Sequence, residues 1–95
     1  MQATDASIHN HHERAVFEAV ADGAAHYPLV IQNGLLPDVA CVALNRLPPR
    51  YIRHEVDMAF YLSERERADT QRAVSEAVTF AFEFVQARSA MRARR

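Results

Sequence analysis

Pro48 and Pro49, side by side at the midpoint of the 95-residue chain, constrain its folding more than any other residues. Proline has no amide hydrogen to donate, and its ring disfavours helical geometry in the residue before it. A helix arriving from the N-terminal side must therefore end by Leu47, and Pro49 holds the backbone extended. The chain divides into two helical halves joined at a stiff corner. Asn45, Arg46, Arg50 and Tyr51 crowd around that corner, with Arg53 two residues on. Guanidiniums grip phosphates through a bidentate fork, and a phenol offers a flat face for stacking. An ordinary helix stop explains the same prolines, because proline commonly follows helix ends.

Ninety-five residues suffice for one domain, expected over 8–90, between a flexible polar start (1–7) and a basic tail (91–95). An apolar share of 49% is ordinary for a globular chain and excludes disorder throughout. No stretch approaches the roughly 20 apolar residues of a membrane span. Met1 to Asp5 carry neither a basic patch nor an apolar run, so no secretory signal and no membrane partner are expected. The single cysteine, Cys41, has no intrachain partner and fits a reducing, cytoplasmic location. A net charge of −1 argues against a general nucleic-acid binder. All 11 cationic side chains are arginine, so any anion site must be built from guanidiniums.

Three main helices are expected. The first runs from Ile8 to about Ala25, with a stripe of Ile8, Ala15, Val16, Ala19 and Val20. Tyr27 to Leu36 reads as a loop with one short extended stretch at Val30-Ile31 and a turn at Asn33-Gly34. The second helix opens near Pro37, with Asp38 in the first turn, where its charge suits the dipole. Val39, Val42, Ala43, Leu44 and Leu47 make it central and buried. From Tyr51 to Leu62 both periods fit: Val56, Met58, Phe60 and Leu62 alternate like a strand, while Ile52, Val56, Ala59 and Phe60 keep helical spacing. The double proline and the aromatic and branched residues favour extended structure.

The third helix starts at a Ser63/Glu66 capping box and continues to about Ala90. Val74, Ala77, Val78, Ala81 and Val85 form one apolar seam, and Ala73, Phe80 and Phe84 widen it. Two short helices offer little cover for so broad a face, which predicts a homodimer with Val78, Ala81 and Val85 near its seam. Arg88, Arg92, Arg94 and Arg95 suit the negative end of the helix dipole. The expected fold is mainly α: a small helical domain with a short extended segment after the double proline, paired with a second copy.

Residue chemistry argues against an enzyme. Cys41 lies in an apolar helix with nothing nearby in sequence to lower its pKa, and Ser63 is explained as a cap. Two glycines are too few for a phosphate-binding loop. His9, His12 and Glu13 fall at helical spacing with His11 beside them, and two imidazoles with a carboxylate suit zinc. A solvated polar stripe explains them as well, and no metal or cofactor is expected. Direct DNA binding is not expected either. No helix carries a basic groove-reading face, and Glu64, Glu66 and Asp69 repel phosphate from the start of the third.

The string Leu44-Asn45-Arg46-Leu47-Pro48-Pro49-Arg50-Tyr51, led by Asp38-Val39-Ala40-Cys41-Val42-Ala43, resembles the late-competence ComFB family of small bacterial proteins. That family reads as an aspartate, a short apolar stretch, then Leu-Asn-x-Leu-Pro-Pro-x-Tyr. Asn10-His11-His12-Glu13 before Ala15-Val16 is similar to its N-terminal helix start, and the helix after Ser63 to its last. The resemblance covers residues 8–87. It implies a receptor for cyclic dinucleotides, chiefly cyclic di-GMP and in some members cyclic di-AMP, acting through a protein effector. Several cysteines bind zinc in some members; this chain has only Cys41, so that feature does not transfer. Neither is a link to DNA uptake inferred from the family's name.

A cyclic dinucleotide presents two phosphates and two purines, which call for guanidiniums and flat faces. The candidate ligand-binding residues are Asp38, Asn45, Arg46, Pro49, Arg50, Tyr51 and Arg53. Tyr51 and Arg53 share a direction if their segment is extended, and Asp38 and Asn45 have base-edge hydrogen bonds to offer, though a dipole partner and a helix C-cap explain these two almost equally well. Two corners near a dimer axis suit a two-fold ligand. The alternative is a ligand-free helical protein-interaction module in which the prolines are purely architectural.

Overall fold

Valine and alanine recurring at helical spacing bury Val16 and Val20 on one side of α1 (His12–Gly23). The computed structural model describes residues 7–94; residues 1–6, expected to be flexible, and Arg95 lie outside the described residues. A 3-10 turn (Ala24–His26) follows α1, then α2 (Pro28–Gln32) and α3 (Leu36–Arg46). α4 (Glu55–Tyr61) and the 30-residue α5 (Glu64–Ala93) complete five α-helices among the described residues. One two-stranded antiparallel ribbon joins the halves, β1 (His9–Asn10) with β2 (Tyr51–Ile52), in the register His9 opposite Ile52 and Asn10 opposite Tyr51.

Element boundaries follow local chemistry. Pro28 and Pro37 stand in the first turns of α2 and α3, where a missing N–H costs nothing. Gly34 turns the chain out of α2 at φ +67°, a conformation that suits glycine. Leu47 closes α3 in extended geometry, as the following proline requires. α5 opens with the expected reciprocal cap. Ser63 Oγ accepts the Glu66 N–H at 3.1 Å, and Glu66 Oε1 accepts the Ser63 N–H at 3.0 Å.

α1 and α3 both lie on α5, and their contacts build the core. Val16, Val39, Ala43, Val78, Ala81 and Phe82 are all buried there. The Tyr27 ring stacks on Phe82, with centroids 4.4 Å apart and planes 6° from parallel. α1 ends close against that ring: a Cβ on Gly23 would stand 3.1 Å from Phe82 Cε2.

Four expectations need correction. The first helix begins at His12, because Ile8 lies before β1 and His9 and Asn10 pair with the corner strand instead of coiling. Tyr27 to Leu36 holds α2, not a loop with an extended stretch; Val30 is its buried anchor. Only Tyr51–Ile52 of 51–62 is strand, and the ribbon stops there. α4 follows, with Met58 buried and Val56 and Phe60 exposed, so the strand-like alternation has no sheet face to match. Finally, Val78, Ala81 and Val85 do not face a second copy. α1 and α3 bury them within one chain, leaving Phe80, Phe84 and, further along, Met91 among the outward apolar positions of α5.

Candidate functional site

The double proline aims the chain from the end of α3 back across the start of α1, and three hydrogen bonds fix the crossing. The His11 N–H donates to the Arg50 carbonyl at 2.7 Å. Asn10 Oδ1 accepts the Arg50 N–H at 3.2 Å and the His12 N–H at 3.1 Å. Asn10 itself is buried, so its amide is a fixed clasp and not a solvated side chain.

Beside this crossing lies a groove of about 370 Å³, within the range of small-ligand sites. Pro48, Pro49 and Arg50 form one wall, His11 and His12 another, and Met58 and Leu62 close it from the α4 side. Asp69, Thr70 and Ala73 of α5 complete the lining. Burial lowers the pKa of His12, and the nearby His11 and Arg50 charges act in the same direction. The Pro48 carbonyl favours the protonated ring, but no hydrogen bond of sound geometry reaches the buried Nδ1. His12 thus presents a neutral imidazole to the groove near neutral pH. A larger cleft of about 530 Å³ separates α1 from α5 elsewhere. Glu18 and Asp22 line it without an arginine, whereas the corner groove sets Arg50 beside its one carboxylate, Asp69, so size does not make the larger cleft the better anion site.

The candidate residues divide between surfaces. Pro49 and Arg50 line the groove. Arg46 turns to α5, its guanidinium 3.7 Å above the centroid of the Phe80 ring. Phe80 stacks with Phe84 at 5.8 Å, and Arg88 lies 5.5 Å over Phe84, making a cation–aromatic ladder. Asn45 donates its side-chain amide to the Cys41 carbonyl at 2.9 Å, one turn back along α3. Asp38 is half-buried in the first turn of α3. Tyr51 is exposed on β2 and Arg53 is exposed just beyond it.

Asn10, His11 and His12 belong to the corner although their roles were not read from sequence. An asparagine ahead of a helix start is a familiar local acceptor, and that was the available signal. Its second partner, forty residues away, had none. The histidines regroup as well. His9 lies on β1, so it shares no helical face with His12 and Glu13. Instead, His9 Nε2 and His11 Nδ1 contact separate oxygens of Glu55, at 2.9 and 3.0 Å. Among the described residues no three His, Cys, Asp or Glu side chains are placed to hold a metal ion. No helix among them is long and apolar enough to cross a membrane.

No curated protein and no solved structure matches the chain. The family model for late competence development protein ComFB matches residues 9–89, from β1 to the last turns of α5. That span takes in the ribbon, the double-proline corner and every helix contributing to the core, and the chain belongs to the ComFB family.

Proposed function

We propose that this chain is a cytoplasmic cyclic dinucleotide receptor, with cyclic di-GMP the first candidate ligand and cyclic di-AMP the second. It passes the signal to a protein partner, and no chemical step is involved. Arg50 carries the reading. Its backbone is tied on both sides, through N–H to Asn10 and through C=O to His11, while its guanidinium stays exposed on the lip of the groove. A fixed backbone with an available planar fork is what recognition of a phosphate or of guanine O6/N7 requires. Tyr51, the next residue, offers an exposed ring for stacking. Arg46 on Phe80 adds a second flat cationic surface nearby in sequence. A homodimer would bring two corners to one two-fold ligand.

The alternative, a ligand-free protein-interaction module, draws support from the outer face of α4. Val56, Phe60 and Tyr61 are exposed there, Phe60 by 82%. Thermal unfolding with cyclic di-GMP, cyclic di-AMP and GTP separates the two. Ligand at a hundred times its Kd adds about 2.7 kcal/mol to stability. For a domain of this size that raises Tm by about 10 °C or more. A shift with a cyclic dinucleotide and none with GTP supports the receptor; no shift with either cyclic dinucleotide overturns it.

A further inference from the structure

α4 is lightly held. Met58 is its one buried residue, and the Ala59 carbonyl accepts Arg67 Nη2 at 3.1 Å. Among the described residues its other side-chain tie is Glu55, whose two carboxylate oxygens take His9 and His11. His9 is bonded on both sides of its ring: Nδ1 lies 3.1 Å from the Ser7 carbonyl and Nε2 lies 2.9 Å from Glu55 Oε2. A carbonyl and an ionised carboxylate are acceptors only, whereas a neutral imidazole has one N–H. Both bonds form together only when His9 carries two protons.

We propose that His9 is a proton-operated latch: its imidazolium bridges Ser7 and Glu55 and docks α4, and loss of one proton releases one of the two bonds. The charge environment agrees. The Glu55 hydrogen bond raises the His9 pKa above the ordinary imidazole value, assisted by the Ser7 carbonyl and the Glu13 charge. In turn His9, then His11, lowers the pKa of Glu55, which stays ionised through the window in which His9 titrates. From α1, Glu13, Glu18 and Arg14 line the same cleft, and desolvation of the imidazolium is what works against its protonation. His11 is followed by His12, whose pKa is lowered by burial first, with the His11 and Arg50 charges acting in the same direction.

The sign follows from linkage. His9 is raised, so its contribution is complete below the ordinary imidazole pKa and disappears as pH rises through the higher folded value. His12 is lowered and works the other way, weakening the whole fold on acidification. A global melt mixes the two, whereas α4 measured against the core isolates the latch. Because Met58 and Leu62 wall the proline-corner groove, docking of α4 sets its shape. The latch itself does not depend on what the groove binds.

Amide hydrogen exchange of residues 55–61 in the free full chain tests it, with intrinsic rates corrected and α5 amides around Ala81 as the reference. Between about pH 5.5 and about pH 8, wild-type α4 protection should fall about threefold relative to the reference. Glu55→Gln, which keeps the shape and removes the charge and one acceptor, should abolish that dependence, as should His9→Gln. An equal fall in Glu55→Gln, or no fall in wild type, overturns the latch. So does an NMR titration placing His9 at or below the ordinary imidazole value. None of these readouts contains a ligand, so they succeed or fail separately from the receptor reading.

Discussion

One side-chain oxygen of Asn10 receives the backbone N–H of Arg50, forty residues away, together with that of His12. A single buried amide thereby sets both the start of α1 and the position of the corner arginine. Both donors are main-chain N–H groups, so only an acceptor serves at this point. Asn10→Ala leaves two donors unpaired and should cost about 1–3 kcal/mol. Asn10→Asp, which still accepts both, should retain most of the stability. Urea unfolding of the three proteins checks this through the midpoints at constant m. An aspartate variant as weak as the alanine variant would show that packing, not acceptance, is what Asn10 provides.

How much of this was legible from sequence depends on range. The α5 cap was fully legible, since Ser63 and Glu66 are three residues apart and satisfy each other. The corner was legible because proline acts on its own neighbour. What failed was decided by partners far along the chain. β1 forms because His9 and Asn10 meet Ile52 and Tyr51, and nothing local to either pair marks it. The same holds for Arg46, which local sequence assigned to the corner and the fold lays on Phe80 of α5. In 51–62 both periods were present, and neither foretold the burial: the segment coils as α4, yet Val56, Ala59 and Phe60, the residues at helical spacing within it, are exposed and Met58 is buried.

The cap carries a prediction with a pH dependence. Ser63→Ala should cost about 1 kcal/mol near neutral pH. Hydrogen bonds to Ser63, the backbone N–H first, hold the Glu66 carboxyl below its ordinary range. A lowered carboxylate stabilises the fold above its unfolded pKa, and that part is lost as pH falls through the folded value. Glu66→Gln should therefore flatten this acid limb of a stability–pH curve. An unchanged limb would place the acid sensitivity in other carboxylates.

Burial of Ala81 moves any contact between copies to the outward face of α5. Ala81 is fully enclosed by its own chain, so Ala81→Arg should unfold the protein, at about 4 kcal/mol or more, instead of releasing folded monomers. A second copy has access only to outward residues such as Phe84. Phe84→Glu should keep the helical circular dichroism of wild type. If that face pairs copies, light scattering should report half the wild-type mass. A folded Ala81→Arg protein would contradict the core described above.

Arg50 separates recognition by geometry from attraction by charge. Its backbone is held by Asn10 and His11, so substitution changes the side chain without moving the corner. Lysine keeps the charge and loses the planar fork. If the contact is bidentate, Arg50→Lys should weaken cyclic dinucleotide binding nearly as much as Arg50→Ala, by about 2 kcal/mol. Both variants should unfold close to wild type, because an exposed arginine contributes little to stability. If Arg50 supplies only diffuse attraction, lysine keeps most of the affinity and added salt removes much of the rest. Titration calorimetry of the three proteins at two salt concentrations distinguishes these outcomes. Near-wild-type affinity in Arg50→Lys would take Arg50 out of the recognition set and move the phosphate contact to Arg46, pre-aligned on Phe80, or to Arg53.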